Sequence, residues 1–371
     1  MRGLPVMLVS AALIVRDEEK FLEACLGSLA GLADEIVVVD TGSTDRSRDI
    51  ARGAGARVYD LPWTGDFSAA RNHALGLARG EWILYIDADE RVGEGNRAAV
   101  REQLRRPGYI GYRLLLRPRP GFSPYWELRL FRNDPRIRFR GVIHENIWPA
   151  VIACQEAGGG RIGLAELFLE HDGYEGDQRH KHLRNQPMLE RSLADDPSRV
   201  FSWCHLAGVR EALGDAEGAE QAWGEAMRLV RGKVTRQPED ALPFLHQIEK
   251  GLADGGDVTD LIDEALGMFG ANLQFAWLRG RALMTGGRTA EAVSVFEGLV
   301  TAGASGDFDR SWAYDLRMFG VFAYEMLAAC HFSLGEYAAA LRYYRLAADC
   351  DPSKLEYRVK AALCARLAAA G

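Results

Sequence analysis

Lysine and cysteine are scarce in this chain, and long apolar runs are missing. Six lysines stand against 39 arginines in 371 residues, a bias that fits a GC-rich genome and carries no chemical signal. The six cysteines (Cys25, Cys154, Cys204, Cys330, Cys350, Cys364) lie far apart, with no CxxC pair. That spacing fits reduced thiols in a cytoplasmic protein better than a disulfide framework or a zinc site. The longest strongly apolar stretch, Leu4–Val15, is twelve residues broken by Ser10, too short to span a bilayer. It runs into Arg16-Asp17-Glu18-Glu19 without a small-residue cleavage site, so it reads as a buried first strand and not a signal peptide. An integral membrane segment is not expected. Excess positive charge is also missing. The formal charge is −7, residues 1–189 are balanced, and the whole deficit falls in 190–371. A nucleic-acid partner is therefore not expected. What is present is a globular composition, 48% hydrophobic and 26% charged, with length enough for two domains.

The first hundred residues alternate two periods. Val6–Val15, Glu35–Asp40, Arg57–Asp60 and Trp82–Ile86 read as strands, and Glu18–Leu29, Arg46–Ala54 and Phe67–Ala78 as helices. Continuous apolar strands in a βαβ order predict an α/β fold, a mostly parallel sheet with helices on both faces. Ligands in such sheets sit at the C-terminal strand ends, where Arg16–Glu19, Asp40–Asp45 and Asp87–Glu90 fall. From Tyr109 to Asp172 shorter strands are expected (Gly111–Arg117, Tyr125–Arg132, Val142–Trp148, Arg161–His171), an antiparallel addition to the same domain. Segment 97–140 holds twelve arginines against three acids, either a solvated face or a surface for an anionic substrate.

After about residue 190 the strands stop. Three windows share one spacing of small and large residues: Ala207, Gly214, Ala219, Trp223 and Ala226; Gly280, Leu283, Gly287, Ala292, Phe296 and Leu299; Leu327, Ala328, His331, Gly335, Tyr337, Ala340, Tyr344, Ala347 and Pro352. This alternation resembles tetratricopeptide helix pairs, in which small residues let helices approach and aromatics fill the gap. The windows are 73 and 48 residues apart, not multiples of 34, so the array is irregular and 232–268 is expected to hide a degenerate unit. The expected division is 1–189 and 190–371.

Asp87-Ala88-Asp89 follows the strand WILYI. Two carboxylates at a strand end can hold a divalent cation that grips a diphosphate. A lone DxD is commonly a solvated turn. Here VVVDTGSTD places Asp40 at the end of a neighbouring strand, where it can accept from a base N–H or a ribose hydroxyl, and DFSAARNHAL places Arg71 and Asn72 at a helix start between the two.

With these elements the chain resembles the family 2 glycosyltransferases, which have the GT-A nucleotide-diphospho-sugar transferase fold. LIVRDEE, VVVDTGSTD, DFSAARNHAL and WILYIDADE stand in the family's order. WELRLFRN and FRGVIHENI look like a subgroup that includes lipopolysaccharide-core transferases; EHDGY and the helical tail are similar to fused bacterial enzymes that glycosylate bacteriocin peptides. The sequence has VRDEE where VKNEE is common, and it lacks the QxxRW motif of processive synthases.

The resemblance implies a non-processive, inverting transfer of one sugar from a nucleotide-diphosphate sugar, dependent on Mn²⁺ or Mg²⁺. Arg16, Glu18 and Asp40 would hold the nucleotide base, Arg71 would approach the diphosphate or base, and Asp87 would lie near ribose and metal. Asp89 would be the direct metal ligand, with His171 beside it. The family usually takes its general base from an acidic pair after the acceptor strand; His144-Glu145 stands there instead, which makes Glu145 the candidate base. Its alternative role is a pair with Arg138 or Arg140, and Glu127 and Asp172 are further candidates. His180, Lys181, His182 and Arg184 fall in an expected interdomain linker or close over the diphosphate, and Trp63 is expected to pack or to stack on a ligand. The expected acceptor is a peptide or protein recruited by the repeats, which also offer a homodimer surface. A lipopolysaccharide core, a small natural product, and a non-catalytic peptide-binding scaffold are the competing readings. Nucleotidyl transfer is disfavoured because RDEE stands where a GxGTR-like loop would be needed.

Overall fold

Eight strands form one mixed sheet in the order β3-β2-β1-β4-β7-β6-β8-β5 in the computed structural model, which describes residues 7–173 and 179–370. The start of the expected first strand, Leu4–Val6, and Tyr174 of EHDGY lie outside the described residues. The strands are β1 (Val9–Val15), β2 (Glu35–Asp40), β3 (Arg57–Asp60), β4 (Trp82–Tyr85), β5 (Glu90–Gly95), β6 (Tyr109–Arg117), β7 (Tyr125–Arg132) and β8 (Arg161–His171). Helices α1 (Leu22–Ser28), α2 (Ser47–Gly53), α3 (Phe67–Leu77), α4 (Arg97–Leu104), α5 (Trp148–Cys154), α6 (Arg179–Asp195) and α7 (Val200–Leu213) accompany them. β1 pairs in parallel with β2 and β4, and β2 with β3. β7 turns the sheet antiparallel by pairing with β4 and β6, while β8 runs parallel to β6 and antiparallel to β5.

Alternation along each strand builds two cores. Trp82 and Leu84 join Leu13, Leu114, Leu130 and Leu167 on one face; Ile83 and Tyr85 join Phe131, Phe139, Val151 and Leu75 on the other. Strands β1, β2 and β4 are thus covered on both faces, which is why they read as nearly continuous apolar runs. Two elements differ from expectation. Val142–Trp148 is not a strand: Arg140 and Asn146 make one isolated bridge, and Trp148 begins α5. Its apolar ends, Val142-Ile143 and Ile147-Trp148, flank a polar centre, and with φ 49° at His144 and 96° at Gly141 the backbone folds back on itself. Residues 179–184 are the first turns of α6, not a linker.

The chain divides into two compact units, Met1–Pro120 with Pro124–Glu225, and Gly121–Ser123 with Ala226–Gly371. Helix α8 (Ala216–Gly232) crosses the division, followed by α9 (Leu242–Ala253), α10 (Thr259–Phe269), α11 (Leu273–Thr285), α12 (Thr289–Ser305), α13 (Val321–Ser333), α14 (Tyr337–Cys350) and α15 (Leu355–Ala370). The expected degenerate stretch 232–268 contains α9 and most of α10. Gly280 on α11 lies so close to Phe296 on α12 that a Cβ would stand 2.6 Å from the ring, the small-against-large contact the spacing predicts.

Candidate active site

The loops after β1, β2 and β4 share one end of the sheet because these strands are parallel neighbours. The first two lock together. Asp17 takes a left-handed conformation (φ 55°), which Asp and Asn tolerate better than other side chains; this explains how Asp fills a position where Asn is common. Its Oδ1 accepts from the Thr44 N–H at 2.6 Å, while Ser43 Oγ accepts from the Asp17 N–H and Ser47 Oγ from the Glu18 N–H. Arg16 beside it is exposed, 4.0 Å from Asp17. Asp40, 2% exposed, closes β2; its Oδ2 accepts from Gly42 and Ser43 N–H groups, while Oδ1 is buried with no hydrogen-bond partner among the described residues. A buried acceptor left open is costly and suits a donor on a ligand.

At the end of β4, Asp87 meets two guanidinium groups. Arg71 Nη2 donates to its Oδ1 at 2.6 Å, and Arg129 Nη1 stands 3.9 Å from Oδ2. Burial opposes ionisation, but these two cations hold the Asp87 carboxyl below the usual range. Arg129, on β7, also makes a bidentate pair with Glu90 at 2.8 and 2.9 Å and lies over the Tyr85 ring. Glu90 in turn accepts from the Asp87 N–H. Burial, with Asp87 adding, pushes Glu90 up to about 7 despite Arg129. Arg129, Glu90 and Tyr85 were not singled out from the sequence. The available signal was an arginine inside the apolar strand LRLF and a carboxylate directly after Asp87-Ala88-Asp89.

The first turns of α3 carry the loop that holds Glu145. The Phe67 N–H donates to Val142 O, Ser68 Oγ to Gly141 O, and Asn72 clips Phe139 through both its backbone groups. Arg71 completes the series: its Nε donates to Glu145, so one guanidinium bridges Glu145 and Asp87. The expected alternative pairing of Glu145 with Arg138 or Arg140 does not occur; Arg138 turns to the carbonyls of Asp134 and Ile137. Asp172 pairs with Arg91, while Glu127 on β7 acts, with Asp87, on Tyr85 and Arg129. Behind the loop, His144 packs on His205 with ring centroids 3.9 Å apart, and Arg199 donates to His144 O. Trp63 packs edge-on against Phe67.

The β5–β8 register sets His171 opposite Glu90 and beside Asp89, with Nε2 3.3 Å from Asp89 Oδ2. Burial lowers the affinity of His171 for a proton, but Asp89 outweighs it and the pKa is raised. Gly173 leaves room around Asp89: a Cβ there would stand 2.0 Å from Oδ2. Glu18 is pushed up to about 7, first by burial and then by Asp89, Asp87 and Asp45, with Lys181 opposing. Carboxylates outnumber cations here, so a divalent cation fits the site. Asp89 and His171 would hold it as a partial shell, since no group of three or more such ligands is poised together among the described residues; ligand oxygens and water would complete it.

Comparisons with known proteins bear on the family. Residues 10–155 match the model of glycosyl transferase family 2, and residues 260–307 and 317–354 that of a tetratricopeptide repeat. A TPR repeat-containing protein of Synechococcus elongatus is 37% identical over 249 residues, 65% of this chain and 60% of that protein. The SPbeta prophage-derived glycosyltransferase SunS of Bacillus subtilis is 30% identical over 215 residues, 54% of this chain and 48% of that one. The chain thus spans between about half and three fifths of the length of these relatives. Among solved structures, glucosyl-3-phosphoglycerate synthase of Mycobacterium tuberculosis with Mn²⁺ and UDP-glucose aligns at 18% identity and a TM-score of 0.38, over 51% of this chain and 78% of that one. No helix among the described residues is long and apolar enough to cross a membrane. Residues 10–155 thus resemble a glycosyl transferase family 2 domain, and stretches that resemble tetratricopeptide repeats follow it.

Proposed function

We propose that the protein moves one sugar, with inversion, from a nucleotide-diphosphate sugar to a polypeptide side chain, through a catalytic domain at 1–189 and acceptor-recruiting repeats at 190–371. The observation that carries this reading is the convergence of Asp40, Asp87, Asp89, His171 and Glu145 around one end of the sheet, with Arg71 joining two of them.

The open Oδ1 of Asp40 would accept from the nucleotide base or ribose, with Arg16 and Glu18 flanking it. Asp87 would lie near the ribose, and Arg71 would face the diphosphate. A cation held by Asp89 and His171, Mn²⁺ or Mg²⁺, would stabilise negative charge on the departing diphosphate. Glu145 would take the acceptor's proton as the acceptor attacks the anomeric carbon from the opposite face. Repeat arrays present extended grooves suited to peptides, which favours a polypeptide over a glycolipid or small molecule.

The first test is a thermal-shift panel of nucleoside diphosphates and nucleotide sugars with and without Mn²⁺, since a ligand of the folded state raises Tm by mass action. One nucleotide family is expected to give a metal-dependent shift, and Asp89→Ala to abolish that shift while leaving the ligand-free Tm within a few degrees. Labelled donor is then offered with peptides and with de-acylated glycolipids. Transfer to glycolipid alone would refute the polypeptide acceptor, and donor binding without any transfer would favour the scaffold reading.

A further inference from the structure

The guanidinium of Arg71 is held along one edge, Nε on Glu145 and Nη2 on Asp87. The rings of Tyr85 and Phe139 lie 5.3 and 5.5 Å from it, its side chain is 11% exposed, and its edge is shared between Asp87 and Glu145. A diphosphate that is to take this same Nε–Nη2 edge must displace one of the two carboxylates. They are not equally held. Asp87 stands at a strand end, has Arg129 as a second cation, and is tied to Glu90 by hydrogen bonds in both directions. Glu145 sits on an irregular loop between Gly141 and Asn146, and Arg71 is the only side chain hydrogen-bonded to it among the described residues. Glu145 is the carboxylate that yields.

We infer that Arg71 is a latch: with no donor bound it holds Glu145, and the diphosphate of the donor competes for the same guanidinium and releases that carboxylate. This rests on the proposed function. The consequence is order. Glu145 is available to an acceptor proton only once the donor is in place, so proton removal is confined to the loaded site. Arg71 in this role is a positioning residue acting through Glu145.

Competition has a thermodynamic signature that needs no turnover. If Glu145 and a diphosphate share one partner, removing the charge of Glu145 tightens diphosphate binding, and only while Arg71 is present. The experiment is calorimetric titration of the best-binding nucleoside diphosphate with excess Mn²⁺ into wild type, Glu145→Gln, Arg71→Met, Arg71→Lys and the two double variants. Glu145→Gln is expected to bind about three- to tenfold more tightly, the scale of one lost charge-assisted competitor. The gain should vanish with Arg71→Met. It should fall below about twofold with Arg71→Lys, which keeps the charge if the methionine variant does not fold but cannot span both carboxylates. Unchanged or weaker binding by Glu145→Gln would overturn the latch. So would a gain of equal size in both Arg71 backgrounds, which would signify direct repulsion between Glu145 and the ligand. Failure of every nucleoside diphosphate to bind wild type would instead refute the proposed function, and the latch with it.

Discussion

At the scale of single residues, the site is a balance of buried charges. Arg129 is 7% exposed and Glu90 2%. Removing one partner of such a pair leaves an uncompensated charge, at a cost of about 3–5 kcal/mol. Arg129→Met is therefore expected to lose stability on that scale in chemical denaturation, and the double variant Arg129→Met/Glu90→Gln to recover much of it. Gly173→Ala is expected to behave differently. The methyl would collide with Asp89 Oδ2, so the metal-dependent thermal shift should be lost with little change in ligand-free Tm. Asp87 and Asp89 were legible in the sequence because both stand next to the strand that aims them. Arg129 was not, because its partners come from register: Ile83 opposite Phe131 and Leu84 opposite Leu130 carry Tyr85 to Arg129. No local pattern contains that information.

At the scale of elements, α3 is the scaffold of the Glu145 loop. Asn72→Ala removes bonds to both backbone groups of Phe139; hydrogen exchange across 139–146 is expected to rise, with a loss of about 1–3 kcal/mol in stability. The other face of the loop responds to pH. Burial, with His205 and Arg199 adding, takes His144 down to about 3, and burial with Arg199 takes His205 down to about 4. The unfolded chain binds these protons near pH 6.5, so the contribution to stability is full above that value and lost as pH falls through 6.5 towards 4. Glu18 and Glu90 have raised values and act with the opposite sign between 4.5 and 7. The measurement is therefore a difference: between pH 7.5 and 5, wild type is expected to lose more stability than His205→Phe. Equal losses would show that the histidine pair is not the source. The loop's misreading as a strand has the same origin as its function. The apolar residues Val142, Ile143, Ile147 and Trp148 record burial, whereas the positive φ of Gly141 and His144, which turns Glu145 towards Arg71, leaves no trace in hydropathy.

At the scale of the molecule, a βαβ start and a helical end were legible because each period persists over many residues. The order β7-β6-β8-β5 was not, since apart from the local β6–β7 pair the pairings β4–β7, β6–β8 and β5–β8 join segments far apart in sequence. In the second unit the repeats were visible only where small residues are obligatory. Gly280→Val is expected to destabilise that unit by about 1–3 kcal/mol, the usual cost of overpacking, measurable by denaturant unfolding.

Strand β5 is an edge strand whose one neighbour is β8. More than sixty residues separate Gly95 from Arg161. On a translating ribosome the segment that directly follows Asp89 thus waits about 3–15 s, at about 5–20 residues per second, for its partner to be made. Asp89 and His171 meet only through that last pairing, so the nascent sheet assembles the loops after β1, β2 and β4 first and brings the two proposed cation ligands together as its closing step.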